Sequence, residues 1–183
     1  MTGYNDVLMA EYTALKAEQL ARIGTRDNLL YATLAAFGAV LAAALTSGQP
    51  TCLLMVPPAA VILGWTYLAN DLKISAIREY IRTELARRMD ALSGGTGADP
   101  LPFGWEFAHL VDPLYASRRA AHLGVDLLAF VLTPAAVIIV CLVAYRGPAL
   151  TTAAVFAVAV AEAGAVGSLG LWITGCYSRA GGA

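Results

Sequence analysis

Four apolar stretches, over residues 29–46, 52–69, 125–145 and 150–174, fill most of this 183-residue chain. Each approaches or exceeds the roughly 20 residues that a helix needs to cross the hydrocarbon of a bilayer. The composition agrees, since 58% hydrophobic and 14% charged residues is far more apolar than an ordinary soluble domain. A soluble fold would have to bury four such helices at once with few residues left to cover them. The pattern therefore predicts an all-α integral membrane protein with four transmembrane helices.

Charge gives the orientation, because short cytoplasmic loops retain Lys and Arg. The N-terminal segment carries Lys16, Arg22 and Arg26, and the segment between the second and third spans carries Lys73, Arg78, Arg82, Arg87, Arg88, Arg118 and Arg119. The turn at 47–51 has no charge and the turn at 146–148 has only Arg146. Both termini and the central segment are therefore expected in the cytoplasm, and the chain reads as two transmembrane hairpins. The net charge of −1 averages basic and acidic residues of the same regions and says little about partners. Three regions follow. Residues 1–92 hold the N-terminal cytoplasmic helix, the first hairpin and a cytoplasmic amphipathic helix; 93–112 are a linker with an aromatic cluster; 113–183 are the second hairpin with a short tail.

The 28 residues before the first span include Asp6, Glu11, Glu18 and Asp27, unlike the short basic start of a secretory signal, so cleavage near Ala42-Ala43-Ala44 is not expected. The cysteines, Cys52, Cys141 and Cys176, form no CxxC pair and no Cys/His spacing suited to zinc. Cys52 and Cys141 fall toward the outer side and Cys176 toward the cytoplasm, so no structural disulfide is indicated.

Outside the bilayer the sequence stays helical. No Pro interrupts residues 4–27, where Val7, Leu8, Tyr12, Leu15, Leu20 and Ile23 form an apolar stripe and Glu18 and Arg22 stand at i,i+4. Span one is thus expected to begin as a long cytoplasmic helix. Span two runs without a breaker into Ile74, Ile77, Ile81, Leu85, Met89 and Leu92, a stripe that something must cover. Either it packs on the N-terminal helix, or it lies on the membrane with Arg78, Arg82, Arg87 and Arg88 at anionic headgroups. Hairpin geometry favours packing, and the same surface is a candidate site for a cytoplasmic protein or a signal ligand. No basic-aromatic alternation suggests nucleic acid.

The helix should end at the Gly-rich segment 93–100. The cluster Leu101-Pro102-Phe103-Gly104-Trp105-Glu106-Phe107 then suits the headgroup level or a cover for a helical stripe, with ligand binding as the sharper reading. Pro113 favours a new helix start leading into span three. Trp65 and Tyr67, and Trp172 and Tyr177, are placed to mark the inner interface of spans two and four.

Glu162, near the middle of span four, is the most informative ionisable residue, since a bare carboxylate there is costly and faces a cavity or a partner. If dry, it should be neutral and donate a hydrogen bond, to the Phe130 carbonyl freed by Pro134 or to the Thr133 hydroxyl; if wet, it lines a pore or a proton path. Asp126 begins span three, where a helix N-terminus favours an acid. Arg118, His122 and Asp126 follow at i,i+4, giving either a charge ladder or a pH-sensitive gate through His122. Small residues, Ala35, Gly38, Ala39 and Ala42 in span one and Ala157, Ala161, Gly164 and Ser168 in span four, suit close helix packing, within the chain first and then in a homo-oligomer. Pro57 and Pro58 are expected to distort the outer half of span two.

Nothing indicates an enzyme or a cofactor. There is no Walker loop, GxSxG or HExxH, and neither histidine, His109 or His122, has metal-ligand neighbours. Glu106, His109 and Asp112 would be the residues of a lipid enzyme, if any.

Residues 18–27 and 70–82, with Gly104-Trp105-Glu106 beyond them, resemble a group of uncharacterised small bacterial membrane proteins over roughly the first 107 residues. A two-span hairpin with long cytoplasmic helices also resembles the SLATT-type domains proposed as pore-forming effectors in bacterial conflict systems, from which this chain departs by adding a second hairpin. The first resemblance implies the bacterial cytoplasmic membrane and no chemistry; the expected function is an oligomeric ion-conducting or effector-type pore, with Glu162 and Asp126 as polar lining or gating and the cytoplasmic helices receiving a signal or a partner. A non-conducting scaffold that docks a cytoplasmic partner, and a small proton-coupled transporter using Glu162, are the alternatives.

Overall fold

The computed structural model describes residues 2–93, 102–104, 106 and 114–179, and every regular element among them is helical. Helix α1 covers Thr2–Ser47, α2 Val56–Tyr80, α3 Ala86–Ser93, α4 Tyr115–Leu127, α5 Thr133–Ala144 and α6 Ala149–Arg179. A 3-10 helix, Pro50–Met55, leads into α2, while π-helical turns at Ile81–Leu85 and Leu128–Leu132 join α2 to α3 and α4 to α5. Among the described residues, four helical stretches are long and apolar enough to cross a membrane: Gly3–Ser47, Pro50–Leu92, Ser117–Ala144 and Thr151–Ser178. The unbroken length of α1 follows from the absence of Pro within it. It stops at Gly48, whose φ of 64° is the left-handed conformation that closes helices and that Gly adopts without strain.

The chain divides into two compact units, Met1–Arg26 with Ala69–Arg119, and Asp27–Leu68 with Ala120–Ala183. In the first, the start of α1 and the run from Ala69 to Ser93 lie side by side and antiparallel. Leu8 packs on Ile81 and Leu85, the Tyr80 hydroxyl donates to Glu11 at 2.7 Å, Arg22 donates to Asn70 at 3.3 Å and Arg26 pairs with Asp71 at 3.2 Å. Early residues of α1 thus meet the later part of that run, and residues 22 and 26 meet its beginning. Ile74, Ile81 and Leu85 are fully buried, and Ile77 and Met89 partly so. The stripe therefore packs on the N-terminal helix and does not lie open, although its last residue, Leu92, is exposed. The complementary stripe on α1 is narrower than its spacing suggests. Leu8, Tyr12 and Leu15 enter the core, while Val7 and Leu20 face outward.

In the second unit, Tyr67, Leu68, Phe130, Leu169 and Ile173 form the main core, with Leu29 and Leu30 of α1 against it. A smaller cluster joins Ala44, Leu53 and Cys141. Packing is tight at Gly64, where a Cβ would stand 2.9 Å from Phe130 and from Leu169. Pro57 and Pro58 fall in the first turn of α2, after the 3-10 helix. They start the helix, where missing N–H groups cost nothing, and do not distort its middle. Trp65 and Trp172 are exposed and meet edge to face at 5.4 Å. Tyr67 and Tyr177, expected beside them, turn into the core instead.

Candidate functional site

The inner face of α6 is traced by the buried Ala159, Val166, Leu169 and Ile173, and Glu162 falls on the same face, three residues after Ala159 and four before Val166. The residue is partly buried, yet its Oε2 is fully enclosed and has no hydrogen-bond partner among the described residues. The buried Cys141 of α5 lies within electrostatic reach. An enclosed carboxyl oxygen without a partner is costly and marks a place where a proton, a water or a cation can be received.

The hydrogen bond expected from Glu162 to the Thr133 hydroxyl or the Phe130 carbonyl is not formed. Thr133 uses its Oγ1 to donate to Leu128 O of its own helix at 2.8 Å. Pro134 is buried and stands two residues after the π-helical turn Leu128–Leu132, as suits a residue with no N–H for the preceding turn and a ring that crowds it.

Asp126 is almost fully buried, at 2% exposure, and its Oδ2 accepts from the Tyr177 hydroxyl at 2.8 Å. His122 is exposed. Acid and imidazole thus differ in burial, and the acid accepts a hydrogen bond from α6. Sequence reading missed this bond because Tyr177 is 51 residues away.

The small-residue faces also differ from expectation. Ala35, Gly38, Ala39 and Ala42, and Ala157, Ala161, Gly164 and Ser168, are all exposed, and a Cβ at Gly38 or Gly164 would meet nothing within 4 Å. Intramolecular packing uses Gly64 instead, and Gly170, where a Cβ would come within 3.3 Å of Val131.

In the first unit, Ile74, Ile77, Ile81, Leu85 and Met89 are committed to the α1 contact and do not form an open partner surface. Beside them is a polar cluster the sequence did not announce. Glu106, 3% exposed, accepts from Lys16, which also donates to the buried Gln19 at 2.8 Å. Phe103 stacks on Tyr12 with ring centroids 4.1 Å apart. His109, Asp112 and Pro113 lie outside the described residues, as does most of the linker. No group of three or more His, Cys, Asp or Glu suited to a metal ion occurs among the described residues.

No protein-family model, curated protein or solved structure matches the chain.

Proposed function

We propose that this chain is an oligomeric, multi-pass protein of the bacterial cytoplasmic membrane, with both termini cytoplasmic, that conducts ions as an effector-type pore and handles protons at Glu162. The observation that carries the reading is the enclosed Oε2 of Glu162, without a hydrogen-bond partner, on the inner face of α6. A carboxyl in such a place is a functional group by default in a membrane protein. Its inward position favours the proton over larger ions, because a proton can pass through a packed interior by hydrogen-bond exchange and a hydrated ion cannot. Self-association is supported by the exposed small-residue faces of α1 and α6, which permit close helix contact.

A scaffold reading is favoured by a separate observation, the well-built polar and aromatic cluster of the first unit around Lys16, Glu106 and Phe103. Purified protein in liposomes separates the two. Proton flux that Glu162→Gln abolishes supports conduction, and flux that saturates with a co-substrate assigns coupled transport. Absence of flux with an intact oligomer leaves the scaffold.

A further inference from the structure

Glu162 stands near the middle of α6, yet its depth in the second unit is set by what lies beside it. Two contacts fix the register of α6 against the chain opposite: the Tyr177 hydroxyl donates to Asp126 at 2.8 Å, and a Cβ on Gly170 would stand 3.3 Å from Val131. Followed back along antiparallel helices, both bring Glu162 opposite residues 139–141, in keeping with the electrostatic reach of Cys141. Helix α5 ends at Ala144, only a few residues further on. Ala44, in one cluster with Cys141, is as near to the end of α1 at Ser47. At 1.5 Å per residue, Glu162 is therefore about 5–8 Å from the loop end of the bundle and about 22 Å from the level of Tyr177. Between those two levels lies about the hydrocarbon thickness of a bilayer. The first two turns of α6, residues 149–156, continue past the ends of α1 and α5, which agrees with the exposure of residues 151–154 and 156.

The two ways out differ in what fills them. Toward the loops there is one shallow layer, Ala44, Leu53 and Ala159. Toward Tyr177 the same face of α6 continues through the buried Val166, Leu169 and Ile173, packed with Tyr67, Leu68 and Phe130, and at Gly64 that packing has no room for a methyl group. Residues 32–47, 50–66 and 127–144 contain no charged side chain, and their only titratable groups are Cys52 and Cys141. No carboxyl, imidazole or ammonium thus stands in these helices between Glu162 and Asp126 to pass a proton on.

We propose that Glu162 takes up and releases its proton at the loop end of the bundle alone, and that the layer of Tyr67, Phe130, Leu169 and Ile173 closes it toward Tyr177. A proton that crosses the molecule must then wait for this layer to shift, so the layer is the gate and Glu162 the station before it. The inference rests on proton exchange at Glu162 in the proposed function, to which it adds the side, and the test reads the two apart.

Dicyclohexylcarbodiimide reaches carboxyls from lipid and couples to them when they carry a proton. Glu162 is the only Asp or Glu between residues 127 and 183, so mass spectrometry reads its modification directly, with Glu162→Gln as the blank. Purified full chain in sealed liposomes carries a C-terminal tag that added protease removes only from molecules whose Tyr177 end faces out, and each orientation is scored by itself. Under a series of pH gradients imposed in both directions, the modification rate of wild type is expected to follow the pH of the loop side, changing at least about threefold over the series, and to ignore the pH of the other side. Leu169→Ala, which thins the layer, should bring in a response to the Tyr177 side. A wild-type rate that follows the Tyr177 side, follows both sides or follows neither overturns the proposal, as does no modification at any pH. A Leu169→Ala chain that keeps its helical circular dichroism and stays blind to the Tyr177 side overturns the assignment of the gate. Proton flux in the same liposomes is measured separately. A one-sided response without flux keeps the inference and removes conduction, whereas flux with a two-sided response does the reverse.

Discussion

Glu106 and Glu162 are two carboxyls held inside helical packing, and their surroundings separate them. Glu106 meets Lys16 and, through it, Gln19; Glu162 has an enclosed oxygen with no partner. Removing the cation from the first should hurt. Lys16→Ala leaves a buried acceptor behind and is expected to destabilise the first unit by roughly 1–3 kcal/mol, whereas Lys16→Met combined with Glu106→Leu should recover most of that loss. Thermal melts of helical circular dichroism in detergent give the comparison. At Glu162 no bond is broken by an amide of the same shape, so Glu162→Gln should change stability by less than about 1 kcal/mol while abolishing proton flux. Unfolding of that variant would show that the carboxyl is structural. Glu162 was legible in the sequence because a lone acid inside an apolar run is conspicuous. Glu106 was not, because its partner is 90 residues away and nothing in a single chain pairs such positions.

Among the elements, the two π-helical turns have a common cause. The inward residues Ile77, Ile81, Leu85 and Met89, buried or half-buried, follow at three successive steps of four, as do the buried Asp126, Phe130, Pro134 and Ile138. At 3.6 residues per turn each such step overshoots by about 40°, so three would carry the last residue about 120° away from the first. A wider turn takes up the excess and keeps the row facing one way. The spacing was visible in the sequence, where it read as a tolerable stripe; only packing on both sides of the row forces the helix to widen. Glycines divide in the same manner. Gly64→Ala should cost about 1–3 kcal/mol by overpacking against Phe130 and Leu169. Gly38→Ala and Gly164→Ala meet open space and should stabilise a monomer by up to about 1 kcal/mol. A loss of oligomer on native gels from Gly38→Leu or Gly164→Leu, with the monomer intact, would place a second copy on those faces.

For the whole molecule, what was most legible is the class. Four helices long and apolar enough to span a membrane are present, and only 6% of the most apolar window of the first is buried, against 39% in the second. Most of that first window is therefore left uncovered by the rest of the chain. The division into units was not legible, because it falls within helices, at Arg26 and Leu68, where composition changes but no linker intervenes. The proposed orientation predicts a labelling pattern for the three free cysteines. A membrane-impermeant maleimide should reach Cys176 from the cytoplasmic side and Cys52 from the outer side, and the buried Cys141 only after unfolding; mass spectrometry of intact cells and inverted vesicles reads it out.

The widened turns also bear on which changes of chain length the protein can survive. A single-residue deletion within Ile81–Leu85 or Leu128–Leu132 is expected to yield ordinary α-helix with the faces before and after it still aligned. The same deletion within residues 60–64 would rotate everything beyond it by about 100° and empty the core. Libraries of such deletions, scored for membrane insertion and melting, should find their tolerated positions at those two places, as though each turn stored one spare residue from an earlier, shorter helix.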